Sequence, residues 1–334
     1  MTKSGKNIFL YLLKAIVSGV LIWYLLSNTK FSEIFTSLRS SDHGWIIMSF
    51  ITLFIGKILT SYRWQVLLKA QDIKIPLRSL IASVFVGQFF NSILPSTVGG
   101  DAYRAYDTAS ESKETAKSIV SLIADRLIGV FALALLAVVA LGVGMVIGED
   151  VRFYAPPVIM VFLICTFAMI LVFNYKIFLI TKRILTKVKL SKIAEKLDKT
   201  YQSLYSLRDK PKVLLAAFMV SILLQVNVIL FYYFIGIALD LRVSLLFFSM
   251  VVPVASVVLL VPLSINGIGI REGIFVFLLT GLGVAPHEAI ALSWISFGLM
   301  LTQGIIGGGV FALRGIELRK LITEPTISHE PPKS

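Results

Sequence analysis

The chain has 334 residues, of which 57% are hydrophobic and only 15% charged, whereas about a quarter of a soluble domain is charged. That balance excludes an ordinary soluble fold and reads as an all-α, polytopic integral membrane protein. The 32 Lys and Arg against 19 Asp and Glu give a formal charge of +13. The basic residues are segregated between apolar runs, which points to membrane orientation rather than nucleic-acid binding.

Apolar segments occupy residues 8–26, 45–62, 79–94, 127–147, 155–175, 213–239, 244–261, 273–284 and 289–313. The longer ones can cross a hydrocarbon layer of ~30 Å. Lys3 and Lys6 precede the first, and no small-residue cleavage site follows it, so it is expected to be retained as a span. Lys57, within the second, either faces a cavity or snorkels. Arg63, Lys69, Lys74 and Arg78 then mark a return to the cytoplasm. The loop 176–212 holds 11 Lys or Arg against 3 acids and is cytoplasmic by the same rule, whereas the link 148–154, with Glu149 and Asp150, belongs outside. Counting crossings from a cytoplasmic N-terminus, segment 79–94 must enter and leave on one side. Its Gln88, Asn91 and the turn 95–100 suit backbone that lines a cavity rather than lipid.

In the second half, segment 244–261 starts outside while the tail, with Arg314, Arg319 and Lys320, belongs inside. Either 244–261 is re-entrant and 273–284 is a short half-buried segment, or three true spans lie between. Pro253 and Pro262 argue against one straight helix. The expectation is six to eight transmembrane helices with two re-entrant segments. In the loop 176–212, apolar residues recur at three- and four-residue spacing from Ile180 to Tyr205, as in amphipathic helices on the inner leaflet.

The string Pro95-Ser-Thr-Val-Gly-Gly-Asp-Ala-Tyr-Arg104 can be laid on Pro262-Leu-Ser-Ile-Asn-Gly-Ile-Gly-Ile-Arg271, matching proline, hydroxyl, β-branched, glycine and arginine positions. One copy is entered from inside and the other from outside, the pattern of an inverted repeat whose broken helices meet near mid-membrane. The organisation expected is one membrane domain over 1–334. Half one covers about 1–175 with repeat 77–147, the basic loop 176–212, half two about 213–313 with repeat 244–313, and a cytoplasmic tail 314–334.

The turn Leu94-Pro95-Ser96 with Gly99-Gly100-Asp101 and Arg104, the pair Asp125-Arg126 heading a long apolar helix, and Asn266-Gly-Ile-Gly-Ile-Arg271-Glu272-Gly273 together resemble the lysylphosphatidylglycerol synthase transmembrane-region family of flippase-like proteins. Larger members of that family add a soluble aminoacyltransferase domain, which this chain is expected to lack. The resemblance implies a cell-membrane protein that binds or moves an anionic phospholipid or a polyprenyl-phosphate-linked lipid. Both termini are expected to be cytoplasmic, and no cofactor is expected.

Arg104 and Arg271 each follow a glycine turn beside a membrane segment, from where a guanidinium can grip a phosphate through two hydrogen bonds. Arg126, Asp101, Asp125, Asn91, Gln88, Asn266 and Glu272 complete the candidate substrate-binding set. Plainer roles compete: Arg104 snorkels, Asp101 pairs with Arg104 at helical spacing, Asp125 neutralises Arg126, and Asn91 and Asn266 cap broken helices. His43, His287 and His329 are scattered and Cys165 is the single cysteine, so no metal site is expected. Glu272 occupies the third glycine position of any dinucleotide fingerprint, and no P-loop is present. Asp101, Asp125 and Glu272 lack a base partner, so the chain is expected not to be an enzyme. The rival readings are an integral-membrane lipid-modifying enzyme and a non-transporting partner of cell-envelope synthesis.

Overall fold

The computed structural model describes residues 31–93, 99–173, 207, 209–261 and 264–323. The expected first span 8–26, most of the basic loop and the turn residues 94–98, 262 and 263 lie outside them. Ten α-helices and no strand occur among the described residues. They are α1 (Phe31–Arg39), α2 (His43–Ala70), α3 (Leu77–Ile93), α4 (Gly99–Ser112), α5 (Thr115–Ile147), α6 (Ala155–Phe173), α7 (Pro211–Ala238), α8 (Leu245–Leu260), α9 (Ile270–Thr280) and α10 (Pro286–Thr323). α2, α5, α7 and α10 are long and apolar enough to cross a membrane. Apolar residues surround these helices instead of forming one stripe, as lipid contact on one side and protein contact on the other demand.

From α2 onward the chain repeats itself. A 28-residue helix (α2, α7), a helix of 17 or 16 residues (α3, α8), a short helix (α4, α9) and a long helix (α5, α10) occur twice in that order. α6 is the extra helix between the two sets. The links after the first helices match as well: Asp72-Ile-Lys-Ile-Pro-Leu77 against Asp240-Leu-Arg-Val-Ser-Leu245. Each opens on an aspartate in the left-handed region, φ 62° and 56°, a conformation Asp tolerates better than most residues. The residue after each closes its helix in the same way, through Ile73 N to Leu68 O (3.0 Å) and Leu241 N to Gly236 O (2.9 Å).

The two units are inverted with respect to each other. Along the α2/α7 contact, Asp42 N donates to Ala238 O (2.8 Å), Trp45 stacks beside Phe234, Asn227 Nδ2 donates to Thr52 O (2.9 Å) and Lys210 Nζ donates to Ala70 O. The start of one helix therefore meets the end of the other. α3 packs on α10, and its counterpart α8 packs on α5, so each unit is completed by the other.

α3 and α4 form an antiparallel hairpin that enters and leaves on one face. Phe90 stacks on Tyr103, and the Asn91 side chain accepts from Gly100 N (2.7 Å), capping α4 as the sequence suggested. The helices cross so closely that a Cβ on Gly100 would run into the carbonyl oxygen of Gly87. α8 and α9 form the matching hairpin from the other face, because Tyr154 donates to Leu278 O near the end of α9 (2.8 Å) and contacts Phe247 at the start of α8. α9 has 11 residues, about 16 Å, too short for a hydrocarbon layer of ~30 Å, which favours the re-entrant reading over three true spans and makes residues 273–284 mostly the returning arm. The two hairpins meet where Asn266 Nδ2 donates to Ser92 O (2.9 Å).

This arrangement gathers Lys69, Lys74, Arg78, Lys113, Lys117 and Lys210 at one end of the bundle, and Glu149, Asp150 and Asp240, with Arg152 and Arg242, at the other. By the positive-inside rule the first end is expected to face the cytoplasm. Cysteines at the exposed positions Asp72 and Lys113 are expected to react with a membrane-impermeant maleimide only after cytoplasmic access, and those at Glu149 and Asp240 in intact cells. Reaction of Asp72→Cys and Asp240→Cys from the same side would contradict the inversion.

Candidate functional site

Where the two units meet, a cavity of about 380 Å³ is lined by α2, α3, α4, α5, α7, α8 and α10. On α2 it is faced by Thr52, Gly56, Lys57, Thr60 and Arg63, a stripe at three- and four-residue spacing that one side of a helix presents. On α5 the same spacing brings Asp125, Arg126, Gly129 and Leu133 to it. Gln88 and Asn91 come from α3, and Asp101 and Arg104 from α4.

Five of the six charged side chains of this lining, all but Lys57, form one cluster of ion pairs. Arg63 Nε donates to Asp125 Oδ1 at 2.6 Å, and its Nη1 donates to Ser221 Oγ at 3.0 Å. Arg104 Nη2 lies 3.5 Å from Asp125 Oδ2, while its Nη1 lies 3.3 Å from Asp101 Oδ1. Arg126 Nε donates to Asp101 Oδ2 at 2.7 Å. Arg63, Arg104 and Asp125 are all buried, whereas the Arg126 side chain is 45% exposed and forms an open edge of the site. The Arg104 guanidinium also stacks over the Trp64 ring at 4.2 Å, a favourable cation–π placement. Gly129 makes room for this packing, since a Cβ there would sit 2.7 Å from Arg63 Nη1.

Six of the nine sequence-proposed residues line the cavity: Arg104, Arg126, Asp101, Asp125, Asn91 and Gln88. Asp101 does pair with Arg104 at helical spacing. Asp125 and Arg126 make no direct ion pair, because neighbouring residues on a helix point about 100° apart. Asp125 pairs instead with Arg63 of α2 and Arg104 of α4, and Arg126 with Asp101 of α4. Arg271, Asn266 and Glu272 lie outside the lining. The Glu272 carboxylate accepts from Gly269 N at 2.6 Å and caps α9, the role suggested for Asn266. Asn266 itself is left-handed (φ 51°), and its carbonyl accepts from Arg271 Nη2 at 2.9 Å. Arg271 is buried, stacks over Phe297 at 4.8 Å, and has Ile268 where the first unit has Asp101.

Arg63 was read as a loop charge at the end of a span, but α2 continues past it to Ala70 and buries it. Also missed were Gln225, Asn227 and Gln303, whose amide nitrogens donate to Gly129 O (2.9 Å), Thr52 O (2.9 Å) and Leu53 O (3.1 Å). Polar amides inside apolar runs were the available signal, since such groups find partners away from lipid. Removing one partner of a buried ion pair costs about 3–5 kcal/mol. Asp125→Ala strands both Arg63 and Arg104, so it is expected to lower the thermal unfolding midpoint in detergent far more than Asp101→Ala. An Asp125→Ala midpoint equal to wild type would contradict the shared role of that carboxylate.

The comparisons with known proteins agree with this architecture. A UPF0104 membrane protein of Methanothermobacter thermautotrophicus is 28% identical over 295 residues, covering 82% of this chain and 87% of that protein. The UPF0104 membrane protein MJ1595 of Methanocaldococcus jannaschii is 27% identical over 92 residues, covering 27% of each. The family model described as the lysylphosphatidylglycerol synthase TM region matches residues 11–307. With nearly its whole length matched and an all-helical membrane architecture, the chain belongs to the lysylphosphatidylglycerol synthase transmembrane-region family.

Proposed function

We propose that this protein binds the headgroup of an anionic lipid in its central cavity and carries it between leaflets. The observation that supports this most is the charge inventory of the cavity: Lys57, Arg63, Arg104 and Arg126 against Asp101 and Asp125. By formal charge two positive charges are in excess at membrane depth, where an uncompensated charge is costly and marks a substrate or ion path by default. An anionic headgroup would neutralise them. The volume, about 380 Å³, falls at the small end of ligand sites, which suits a headgroup whose tails stay in the bilayer. The inverted units supply a site that rocking of one against the other would open to either side.

The reading is of a carrier and not a catalyst, since both cavity carboxylates are committed to arginines. Without nucleotide, movement would run downhill or on an ion gradient. Purified protein in sealed liposomes, with no partner and no ATP, is expected to move a phosphatidylglycerol or polyprenyl-phosphate probe between leaflets faster than protein-free vesicles, and to leave phosphatidylcholine at the control rate. Arg126→Gln, at the open edge, is expected to slow this movement while keeping the unfolding midpoint. No acceleration for either anionic lipid, with and without imposed ion gradients, would favour a non-transporting partner of envelope synthesis.

A further inference from the structure

The geometry points to Lys57 as the group that receives the anion, with the three cavity arginines serving as its fixed surroundings. This assignment rests on the anionic-lipid reading and names the residue at its centre. Every arginine of the cavity already has a carboxylate: Asp125 holds Arg63, Asp125 and Asp101 hold Arg104, and Asp101 holds Arg126. Lys57 has none within salt-bridge distance among the described residues. Its ammonium donates to the neutral Gln88 Oε1 at 2.8 Å, which uses one of its three donors. The excess positive charge is therefore carried where a hydrogen-bonding position is still open.

The depth of Lys57 adds a second argument. It stands halfway along the 28 residues of α2, a helix of about 42 Å that exceeds the hydrocarbon thickness of about 30 Å. Its side chain lines the cavity and donates to Gln88, so snorkelling to a headgroup does not explain it. The crossing of the two units lies one residue away, where a Cβ on Gly56 would meet Asn227 at 3.0 Å and Leu224 at 3.8 Å. Gln225, halfway along α7, occupies the matching position of the second unit and also lines the cavity. The inverted repeat thus carries a single lysine near the midpoint of its first helix. A ligand held there is handed from one side to the other without leaving its cation.

The ligand chemistry is a phosphate-class anion, available as a lipid headgroup or free in solution. The test uses the purified full chain in detergent, titrated with phosphatidylglycerol and with phosphatidylcholine, and challenged separately with inorganic phosphate. Lys57→Met keeps the aliphatic stem and is expected to weaken phosphatidylglycerol binding about tenfold or more, as loss of a charged hydrogen bond does. Lys57→Arg is expected to retain most of it. Lys57→Gln, which can keep the contact with Gln88, provides the same test should Lys57→Met fail to fold. Equal binding by wild type and the uncharged variants overturns the Lys57 assignment and leaves the lipid reading standing. Wild-type protein that binds neither phosphatidylglycerol nor phosphate overturns both. With the Lys57 dependence in place, competition by inorganic phosphate assigns a general anion site, and its absence assigns a lipid headgroup.

Discussion

The carboxylate of Asp125 is the point on which the centre of this protein turns. It is buried among membrane helices and holds Arg63 of α2 and Arg104 of α4 on its two oxygens. Ions at that depth survive only when paired and hydrogen-bonded, so three helices are bound to one another by the need to neutralise charge. The re-entrant hairpin depends on it. α4 is the most polar of the helices around the cavity; Arg104 over Trp64 holds it against α2, and Arg104 with Asp125 and Asp101 with Arg126 hold it against α5. Apart from Tyr103 against Phe90 and Phe311, and Ala105, few apolar contacts would keep it inside the bundle without that attraction.

The second unit repeats the path of the first but lacks most of the cavity charges. Ile268 replaces Asp101, Gln225 replaces Lys57, and Arg271 rests on an aromatic ring and a backbone carbonyl. A duplicated scaffold has thus been polarised: the first unit carries the ion cluster, with Arg104 and Asp101 on its hairpin, and the second presents apolar and amide groups to the cavity. The same asymmetry appears in the packing, where amides of α7 and α10 donate to backbone carbonyls of α2 and α5. Each such bond orients its amide, because only the nitrogen end can donate to a carbonyl.

The fold was largely legible from two signals, the lengths of apolar runs and the placement of Lys and Arg, because both are imposed residue by residue by the bilayer. Helix starts were less legible. α5 begins at Thr115, twelve residues before its apolar run, since its first turns lie against α2 and α4 rather than lipid and can carry Lys117, Asp125 and Arg126. The candidate residues on α4 and α5 were legible as charges beside membrane segments, but their partners were not. Arg63 and Asp125 stand 62 positions apart, and only the crossing of α2 with α5 makes them neighbours. Arg271 shows the reverse case, where a matching motif carried the same residue into a different environment.

The central claim is that an anionic headgroup occupies the cavity between the two units. A structure determined in lipid nanodiscs containing phosphatidylglycerol tests it most directly. The account predicts a phosphate within hydrogen-bonding distance of Lys57 or Arg126, with its acyl chains leading out into the bilayer. A cavity holding only water, with lipid confined to the outer surface of the bundle, would contradict it.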